Sequence, residues 1–574
     1  MMSPPMKRGQ LAILLFAALA VAAIAFVGGG SDDGGGGSAS SGSGGGDAPA
    51  KAPAGAVRID FPYSPEKEPL LKPLIERFNA SRTEAGGKAV FVEGRSESSG
   101  VTEQRVAQGR DQPVAWSPAS SLWGRLLNFE ADKPLVPDEN PSIVRTPLVI
   151  AMWEPMAKAL GYPKKPLGFD DILELARSKE GWAAHGLPEY GAFKLVHTNP
   201  DYSTSGLSAV VAEYYAATGK KEGLRPEDVT GKARETVREI ERSIVHYGDT
   251  TPFIADQMRK GGLGYASAVA MEEATLLDFN AKRGKLPKLI AIYPKEGTFF
   301  SDSPFIVLDG EWVTPEQRAG ALAFQKFLAQ EITPEVAARG GFRPADLEAE
   351  PVAPITAANG VDPKQPEREL GLPEPRVLAL LKRTWREDRK PANVLLVLDT
   401  SGSMAEEQRL ENAKQGLDVF LSQVAPQDRV GLTTFSDQIT PLVPVGPFKQ
   451  NKAQLQATVK RLIADGGTAF YDAAAQGYAT VRDLADRDDR INAVVLLTDG
   501  EDTDSTRGVE DVVRELGGQG DSATQVRVFT IAYSAGAAGA KDALEKIAEA
   551  SGGNSYPGDP ENIEAVYRSI SSFF

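Results

Sequence analysis

The stretch LLVLDTSGSM, residues Leu395–Met404, passes from an apolar run directly into an aspartate and two serines. Such a run is typical of a strand in the middle of a parallel sheet, where helices cover both faces. Beyond the strand, oxygen-bearing side chains follow at alternate positions, namely Asp399, Ser401 and Ser403. We interpret this cluster as part of a metal site that is used for binding.

The residues around this stretch predict a sheet whose strands alternate with helices, from Pro391 to Phe574. NVLLVLD, INAVVLLTDG and VRVFTIAYS read as buried strands, and apolar residues at helical spacing between them predict covering helices. ITPLVPV contains Pro441 and Pro444, which lack a backbone donor, so we expect it at an edge of the sheet. The pattern predicts a doubly wound, Rossmann-like α/β domain, in which ligands bind beyond the carboxyl ends of the strands.

Two strand ends and one loop of this region carry the oxygens that a hard cation prefers. Asp399 follows NVLLVL, Asp499 follows AVVLLT, and Thr468 lies on the glycine-rich loop GGTAFYD. Mg²⁺ takes six oxygen ligands at about 2.1 Å, and compact neutral hydroxyls can approach it together with two charge-balancing carboxylates. A position left to water would then admit a carboxylate from another molecule. The local alternative for DTSGSM is a turn in which Asp and Ser cap a helix, but this does not explain Thr468 and Asp499.

Three motifs make this region resemble a von Willebrand factor type A domain. They are DTSGSM, GGTAFYDA and LLTDGED, and the resemblance covers Pro391 to Phe574. It implies a metal-ion-dependent adhesion site whose ligands are Asp399, Ser401 and Ser403 on the first loop, Thr468 on the second and Asp499 on the third. Mg²⁺ is the expected ion, and the ligand types also suit Mn²⁺ or Ca²⁺. The implied partner is a protein that contributes a carboxylate to the metal.

The preceding region, residues 57–346, also alternates between strand and helix patterns and is long enough for two lobes. VRIDF and KAVFVEG predict strands, and helices follow both of them. Hydroxyl groups stand where three of the predicted helices begin, and we name as candidate ligand-binding residues Ser64, Ser98, Ser99, Ser203, Thr204 and Ser205. Because helix N-termini carry unpaired N–H groups, three of them converging would bind an anion without a cationic side chain. The alternative is that these residues only cap their helices.

Several stretches of this region resemble a type II, two-lobed extracytoplasmic solute-binding protein. They include FPYSPEKEPLLKPLIERFN, VAWSPASSLW, HTNPDYSTSGLSAV and YPKEGTFFSDSPFIVL. The resemblance implies two lobes that close on a small molecule, an oxyanion, a sugar or an amino acid, for delivery to a separate permease. A second possibility is that the region has lost its ligand and serves as a scaffold.

The N-terminus predicts the location of the protein. Lys7 and Arg8 precede an apolar run, Leu11–Val27, which as a helix would span about 25 Å. We expect an uncleaved membrane anchor with the rest of the chain outside the cytoplasm; the alternative is a signal peptide cleaved after Ala25. The predicted layout is an anchor or signal at 1–27, a disordered Gly/Ser-rich tether at 28–56, a solute-binding-like domain at 57–346, a proline-rich connector with a short helix at 347–390, and the last domain at 391–574.

Composition narrows the classes of partner and metal. The chain has 574 residues and a formal net charge of −15, which argues against a nucleic-acid partner because such a partner needs a basic face. It contains no cysteine and only three histidines, none of them in an HxxH pair. Thiolate zinc sites are therefore excluded, histidine-rich metal sites are disfavoured, and any metal should be hard and bound by oxygen.

These observations predict a cell-envelope adhesion or binding protein and not an enzyme. One alternative is a transporter-associated receptor for a small solute, and a more remote one is a Mg²⁺-dependent phosphohydrolase. Phosphoryl chemistry needs a base and cationic clamps beside the metal. The chain has no GxxxxGK[ST] loop, its last domain has no histidine, and we expect no Lys or Arg beside the three metal loops.

Overall fold

The computed structural model describes residues 52–517, 525–533, 539–559 and 562–574. The predicted anchor and nearly all of the predicted tether lie outside these residues. In the described part of the chain, no helix has the length and apolar character needed to cross a membrane. The described residues belong to one compact unit.

The first lobe is built on a small sheet in the order β1-β3-β2, in which β1 and β3 run parallel. Its first elements are β1 (Val57–Tyr63), α1 (Glu68–Ser81), β2 (Glu84–Ala85), β3 (Lys88–Ser96), α2 (Ser99–Ala107), β4 (Ala115–Trp116) and α3 (Leu122–Ala131). The chain then builds the second lobe and returns, adding β10 (Ile306–Val307), α10 (Pro315–Glu331) and α11 (Pro334–Arg339) to the first lobe. A continuous apolar core joins β1 and α1 to the returning segment, where Phe61 stacks on Phe305 and meets Phe324 edge-on.

The second lobe contains a mixed sheet in the order β6-β7-β5-β8, with β9 pairing on β5. Its elements, followed by the returning segment, are β5 (Thr146–Trp153), α4 (Glu154–Ala159), α5 (Phe169–Arg177), β6 (Leu195–His197), α6 (Thr204–Thr218), α7 (Gly231–Glu241), α8 (Thr251–Tyr265), β7 (Ala268–Glu272), α9 (Glu273–Lys282), β8 (Leu289–Ile292), β9 (Phe300–Ser301), β10 (Ile306–Val307), α10 (Pro315–Glu331) and α11 (Pro334–Arg339). All eight residues of β5 are buried, as its position inside the sheet requires.

The last region is a six-stranded sheet in the order β13-β12-β11-β14-β15-β16, parallel except for the pair β12–β13. Its elements are β11 (Ala392–Asp399), α13 (Arg409–Gln423), β12 (Arg429–Phe435), β13 (Ile439–Pro447), α14 (Phe448–Lys460), α15 (Phe470–Arg482), β14 (Ile491–Thr498), α16 (Val509–Gly517), β15 (Val526–Tyr533), α17 (Lys541–Ala550), β16 (Ser555–Gly558) and α18 (Ile563–Ser571). The α/β prediction is confirmed: β11 is central and wholly buried, and β13, with its two prolines, lies at one edge.

The connector crosses both lobes through the helix α12 (Pro375–Asp388). Lys382 reaches the first lobe, where its Nζ lies 3.9 Å from Glu103 Oε2 and 5.3 Å from the centre of the Trp123 ring. Trp385 reaches the second lobe, where its indole N–H donates to Glu241 over 3.1 Å. The helix therefore packs against both lobes and connects them, directly before the last region begins.

The stability of the contact between α12 and the first lobe depends on pH through Glu103. Its side chain is fully buried and neither oxygen accepts a hydrogen bond. Burial raises the pKa of Glu103 from 4.5 to about 8, against the opposing pull of Lys382. Because the pKa is higher in the folded state, the stability linked to this proton is present below about pH 4.5 and is lost as the pH rises through about 8.

We therefore expect Glu103→Gln to raise thermal stability progressively as the pH rises above about 4.5. Its Tm should equal that of the wild type at pH 4.5 and exceed it by about 2–5 °C at pH 8.5, because glutamine never carries the buried charge. Scanning calorimetry at the two pH values measures this difference. Glu222→Gln, at an exposed position, is the control and should change neither value; equal Tm for Glu103→Gln and wild type at pH 8.5 would refute the expectation.

Candidate functional site

The first and third predicted metal loops lie side by side because β11 and β14 are parallel neighbours. Leu398 pairs with Leu497 in the register of these strands, so Asp399 and Asp499 follow at the same edge of the sheet. The second loop, at the start of α15, joins them: Gly402 N–H donates to Gly466 O over 3.0 Å. The structure thus brings the three predicted segments together at the carboxyl edge of the sheet.

Asp399 holds the first loop against the third. One carboxylate oxygen accepts the Ser401 N–H over 2.7 Å, and the other accepts the Thr498 hydroxyl over 2.6 Å. Its side chain is completely buried, and this burial raises the pKa of Asp399 from 3.8 to about 6 even though both hydrogen bonds favour the charged form. A carboxylate in this position would gain from a nearby cation.

The hydroxyls and the second carboxylate form a chain of short contacts. Ser401 Oγ lies 3.1 Å from Ser403 Oγ, and Ser403 Oγ donates to Asp499 Oδ1 over 2.8 Å. Two oxygens bound to one Mg²⁺ at right angles, each about 2.1 Å from it, are about 3.0 Å apart. The observed spacings therefore match adjacent ligand positions on one octahedral cation.

Thr468 faces the same point from the second loop. A methyl group built on Gly500 would lie 3.8 Å from Ser403 Oγ and 3.9 Å from Thr468 Oγ1, so the two hydroxyls flank one small space. In the described part of the chain, no three His, Cys, Asp or Glu side chains form a metal cluster. The predicted set contains two carboxylates and three hydroxyls, and these residues fit a hard cation.

Residues outside the predicted set tie the second loop to the third. Thr468 O accepts the Thr503 N–H over 2.8 Å, and Asp504 Oδ2 accepts the Thr468 N–H over 3.0 Å. Gly467 permits this contact, because a side chain there would collide with the Asp504 carboxylate. Sequence reasoning missed Asp504, although its position five residues after Asp499 on a polar loop was a usable signal.

Arg409 corrects the expectation that no Lys or Arg lies beside the metal loops. Its Nη1 donates to Asp499 Oδ2 over 2.8 Å, and the carboxylate is fully buried. The chain reaches this position through two residues with left-handed backbone, Glu407 at φ 49° and Gln408 at φ 58°. The guanidinium neutralises Asp499 and also lies 3.4 Å from the carboxylates of Glu406 and Glu407.

In the lobed region, five of the six predicted hydroxyl residues line one narrow pocket of about 10 Å³. They are Ser64, Ser98, Ser99, Ser203 and Thr204. The sixth, Ser205, is buried behind them, and its hydroxyl lies 2.8 Å from Thr198 Oγ1 and 3.1 Å from Ser203 Oγ. The predicted convergence is therefore present, although Ser205 is not part of the lining.

The chemistry of this pocket differs from the expectation in two respects. Ser64, Ser98 and Ser203 precede their helices, but none of their side chains caps the helix by a hydrogen bond. Three carboxylates also line the pocket, those of Glu66, Asp249 and Glu272. Negative side chains at a helix N-terminus compete with an anion for the same dipole, so these carboxylates count against the predicted anion. The pocket of about 10 Å³ has room for about one water molecule.

Comparison with known proteins identifies both folded regions. Residues 393–567 match the von Willebrand factor type A domain family, and residues 61–343 match the family described as bacterial extracellular solute-binding protein. An uncharacterized protein of Mycobacterium tuberculosis is 24% identical over 510 residues, covering 84% of this chain and 72% of its own length. An uncharacterized protein of Synechocystis is 30% identical over 197 residues, covering 34% of this chain and 44% of its own.

Among solved structures, a von Willebrand factor type A protein from Catenulispora acidiphila is 24% identical with a TM-score of 0.27. It covers 32% of this chain, which in turn spans 42% of that chain. A periplasmic thiamin binding protein is 10% identical with a TM-score of 0.42, and the match covers 59% of this chain and 98% of that chain.

Proposed function

Because the chain joins a bacterial extracellular solute-binding domain to a von Willebrand factor type A domain, we propose that it is a cell-envelope protein that binds a partner protein through a divalent cation. The proposed ligands are Asp399, Ser401, Ser403, Thr468 and Asp499. The observation that carries the proposal is the spacing of 3.1 Å and 2.8 Å along Ser401, Ser403 and Asp499, which suits neighbouring ligands of one small cation.

The cation we propose is Mg²⁺, and Mn²⁺ or Ca²⁺ would find the same hard oxygens. When bound, it would supply a positive coordination position for a carboxylate of the partner. Two residues of the chain would hold the site in place. Asp399 orders the first loop through Ser401 and Thr498, while Arg409 holds one oxygen of Asp499. Asp499 is thereby partly neutralised, which would leave the cation more attractive to an outside carboxylate.

We place the folded regions outside the cytoplasm, because the lobed region matches a family of extracellular binding proteins. The proposed tie to the membrane is the apolar run Leu11–Val27 behind Lys7 and Arg8. The Gly/Ser-rich stretch after it would hold the two domains away from the bilayer.

A second candidate function is that of a solute receptor, favoured by the pocket that five hydroxyl-bearing residues line between the lobes. Because the pocket has room for about one water molecule, a solute would bind only when the lobes open. The three carboxylates in the lining then favour a neutral polar or cationic solute. Calorimetry with sugars, amino acids and small amines tests this candidate. Binding of any of these solutes that weakens in Asp249→Asn would support this candidate. No heat of binding with any of them would indicate that the lobes serve as a scaffold.

The experiment for the main proposal is capture of partner protein from envelope extract by the full chain in detergent. We expect the partner to be retained in 5 mM Mg²⁺, released by EDTA and recovered when Mg²⁺ is restored. A partner retained equally well in EDTA would contradict the proposal. Release of p-nitrophenol from its phosphate ester, dependent on Mg²⁺, would instead favour the phosphohydrolase.

A further inference from the structure

A second and larger cavity lies where both lobes, the connector and the last region meet. Its volume is about 460 Å³, and it shares no lining residue with the narrow pocket between the lobes. Helix α2 and the residues after it form one wall, α12 and residues 199–202 of the second lobe form another, and the end of α13 together with α18 closes the third. The cavity therefore exists only because these parts are docked.

Five arginines line this cavity, in a chain whose formal net charge is −15. They are Arg105, Arg110, Arg386, Arg389 and Arg568. Such a concentration of one charge in an oppositely charged protein attracts small anions to the cavity.

Three of these arginines already have carboxylate partners. Arg105 pairs with Glu97 at 3.0 Å, Arg386 with Asp201 at 2.6 Å, and Arg389 with Asp428 at 2.6 Å. In contrast, the part of the chain that the structure describes offers no ion pair to Arg110 or to Arg568. These two guanidinium groups come from opposite walls, one after α2 and the other on α18.

Asp201 is 9% exposed and also lines the cavity, where its Oδ2 accepts from Arg386. The side chains of Tyr202 and Trp385 contribute buried aromatic surface to the lining.

We propose that this cavity binds a small organic anion whose acid group pairs with Arg568 and Arg110. A guanidinium group offers two parallel N–H donors, and both a phosphate and a carboxylate can accept them. The acid group of the ligand can therefore be either of these two. A volume of about 460 Å³ accommodates a molecule considerably larger than inorganic phosphate. The anion would join the first lobe, the connector and the last region, and would stabilise their docking.

The test is calorimetric titration of the full chain in detergent with sn-glycerol 3-phosphate, citrate and, as an uncharged control, glycerol. We expect one site per chain for at least one of the anions and no heat with glycerol. Binding of the phosphate ester assigns a phosphate, and binding of citrate assigns a carboxylate. No binding of either anion at about 10 mM overturns the proposal.

Two variants locate the site. Arg568→Gln and Arg110→Gln should each weaken binding about tenfold, because each removes one charge-assisted pair. Arg110 is exposed, so its variant tests the site even if Arg568→Gln fails to fold. Arg514→Gln, on α16 and away from the cavity, is the matched control and should bind as the wild type does. Unchanged affinity in Arg110→Gln and in a folded Arg568→Gln would place the anion elsewhere and refute the proposal.

Discussion

Asp399→Asn is expected to abolish binding of divalent cations while leaving the domain folded. Asparagine keeps an acceptor for the Ser401 N–H and can still hydrogen-bond the Thr498 hydroxyl, so the first loop should stay in place. What is lost is one of the two negative charges at the proposed site. We expect the dissociation constant for Mn²⁺, used as a probe for Mg²⁺, to rise at least about 100-fold, since carboxylates supply the charge that balances such ions.

The measurement is titration calorimetry with Mn²⁺, accompanied by thermal unfolding in EDTA. Burial raises the pKa of Asp399 to about 6, so the charged form is destabilised in the absence of metal. Removal of that charge should leave Tm in EDTA at pH 7.5 no lower than that of the wild type. Asp437→Asn, at an exposed position near the same loops, should retain wild-type affinity. Wild-type affinity in Asp399→Asn would contradict the assignment of this residue.

Phe573→Ala is expected to undock the last region from the lobes. The ring is 2% exposed and lies against three others, with centroid distances of 5.3 Å to His246, 5.2 Å to Phe253 and 4.6 Å to Phe529. His246 and Phe253 belong to the second lobe, and Phe529 lies on β15 of the last region. Truncation of a buried phenylalanine costs about 3–5 kcal/mol, and here that loss falls on the interface.

Scanning calorimetry measures the consequence. We expect the last region to unfold about 10 °C lower and to separate from the unfolding of the lobes, because their coupling is weakened. The control is Phe129→Ala, which truncates a phenylalanine that is 49% exposed and should change Tm by less than about 2 °C. A single transition at the wild-type temperature in Phe573→Ala would show that this ring does not hold the domains together.

The sheet of the last region was predictable because its central strands carry a continuous apolar signal. β11 and β14 are buried along their whole length, and residues buried on both faces of a sheet must all be apolar or paired. The same reasoning located the edge strand, since Pro441 and Pro444 cannot donate to a neighbour. The positions of Asp399 and Asp499 followed from the ends of two parallel strands.

The position of Arg409 could not be predicted in the same way. It reaches Asp499 through the left-handed backbone at Glu407 and Gln408, and neither Glu nor Gln is a residue type that favours this conformation. The acidic lining of the narrow pocket could not be predicted from the sequence either. Glu66, Asp249 and Glu272 belong to separate segments of the chain, and only the docking of two lobes gathers them around one space.

The cavity of arginines depends on contacts that are still more distant in sequence. Arg110 and Arg568 lie at opposite ends of the folded chain. The cavity forms only when α12 packs on both lobes and the last region packs beside it. Periodicity describes single elements, so it carries no information about such a junction.

The proposed function depends on one divalent cation held by side chains from three loops, and a crystal structure of protein grown in MnCl₂ is the direct test. Anomalous scattering should locate one Mn²⁺ per chain bonded to the hydroxyls of Ser401, Ser403 and Thr468, with Arg409 still on Asp499. Full occupancy of Mn²⁺ elsewhere, with no anomalous peak between these hydroxyls, would contradict the proposed metal site.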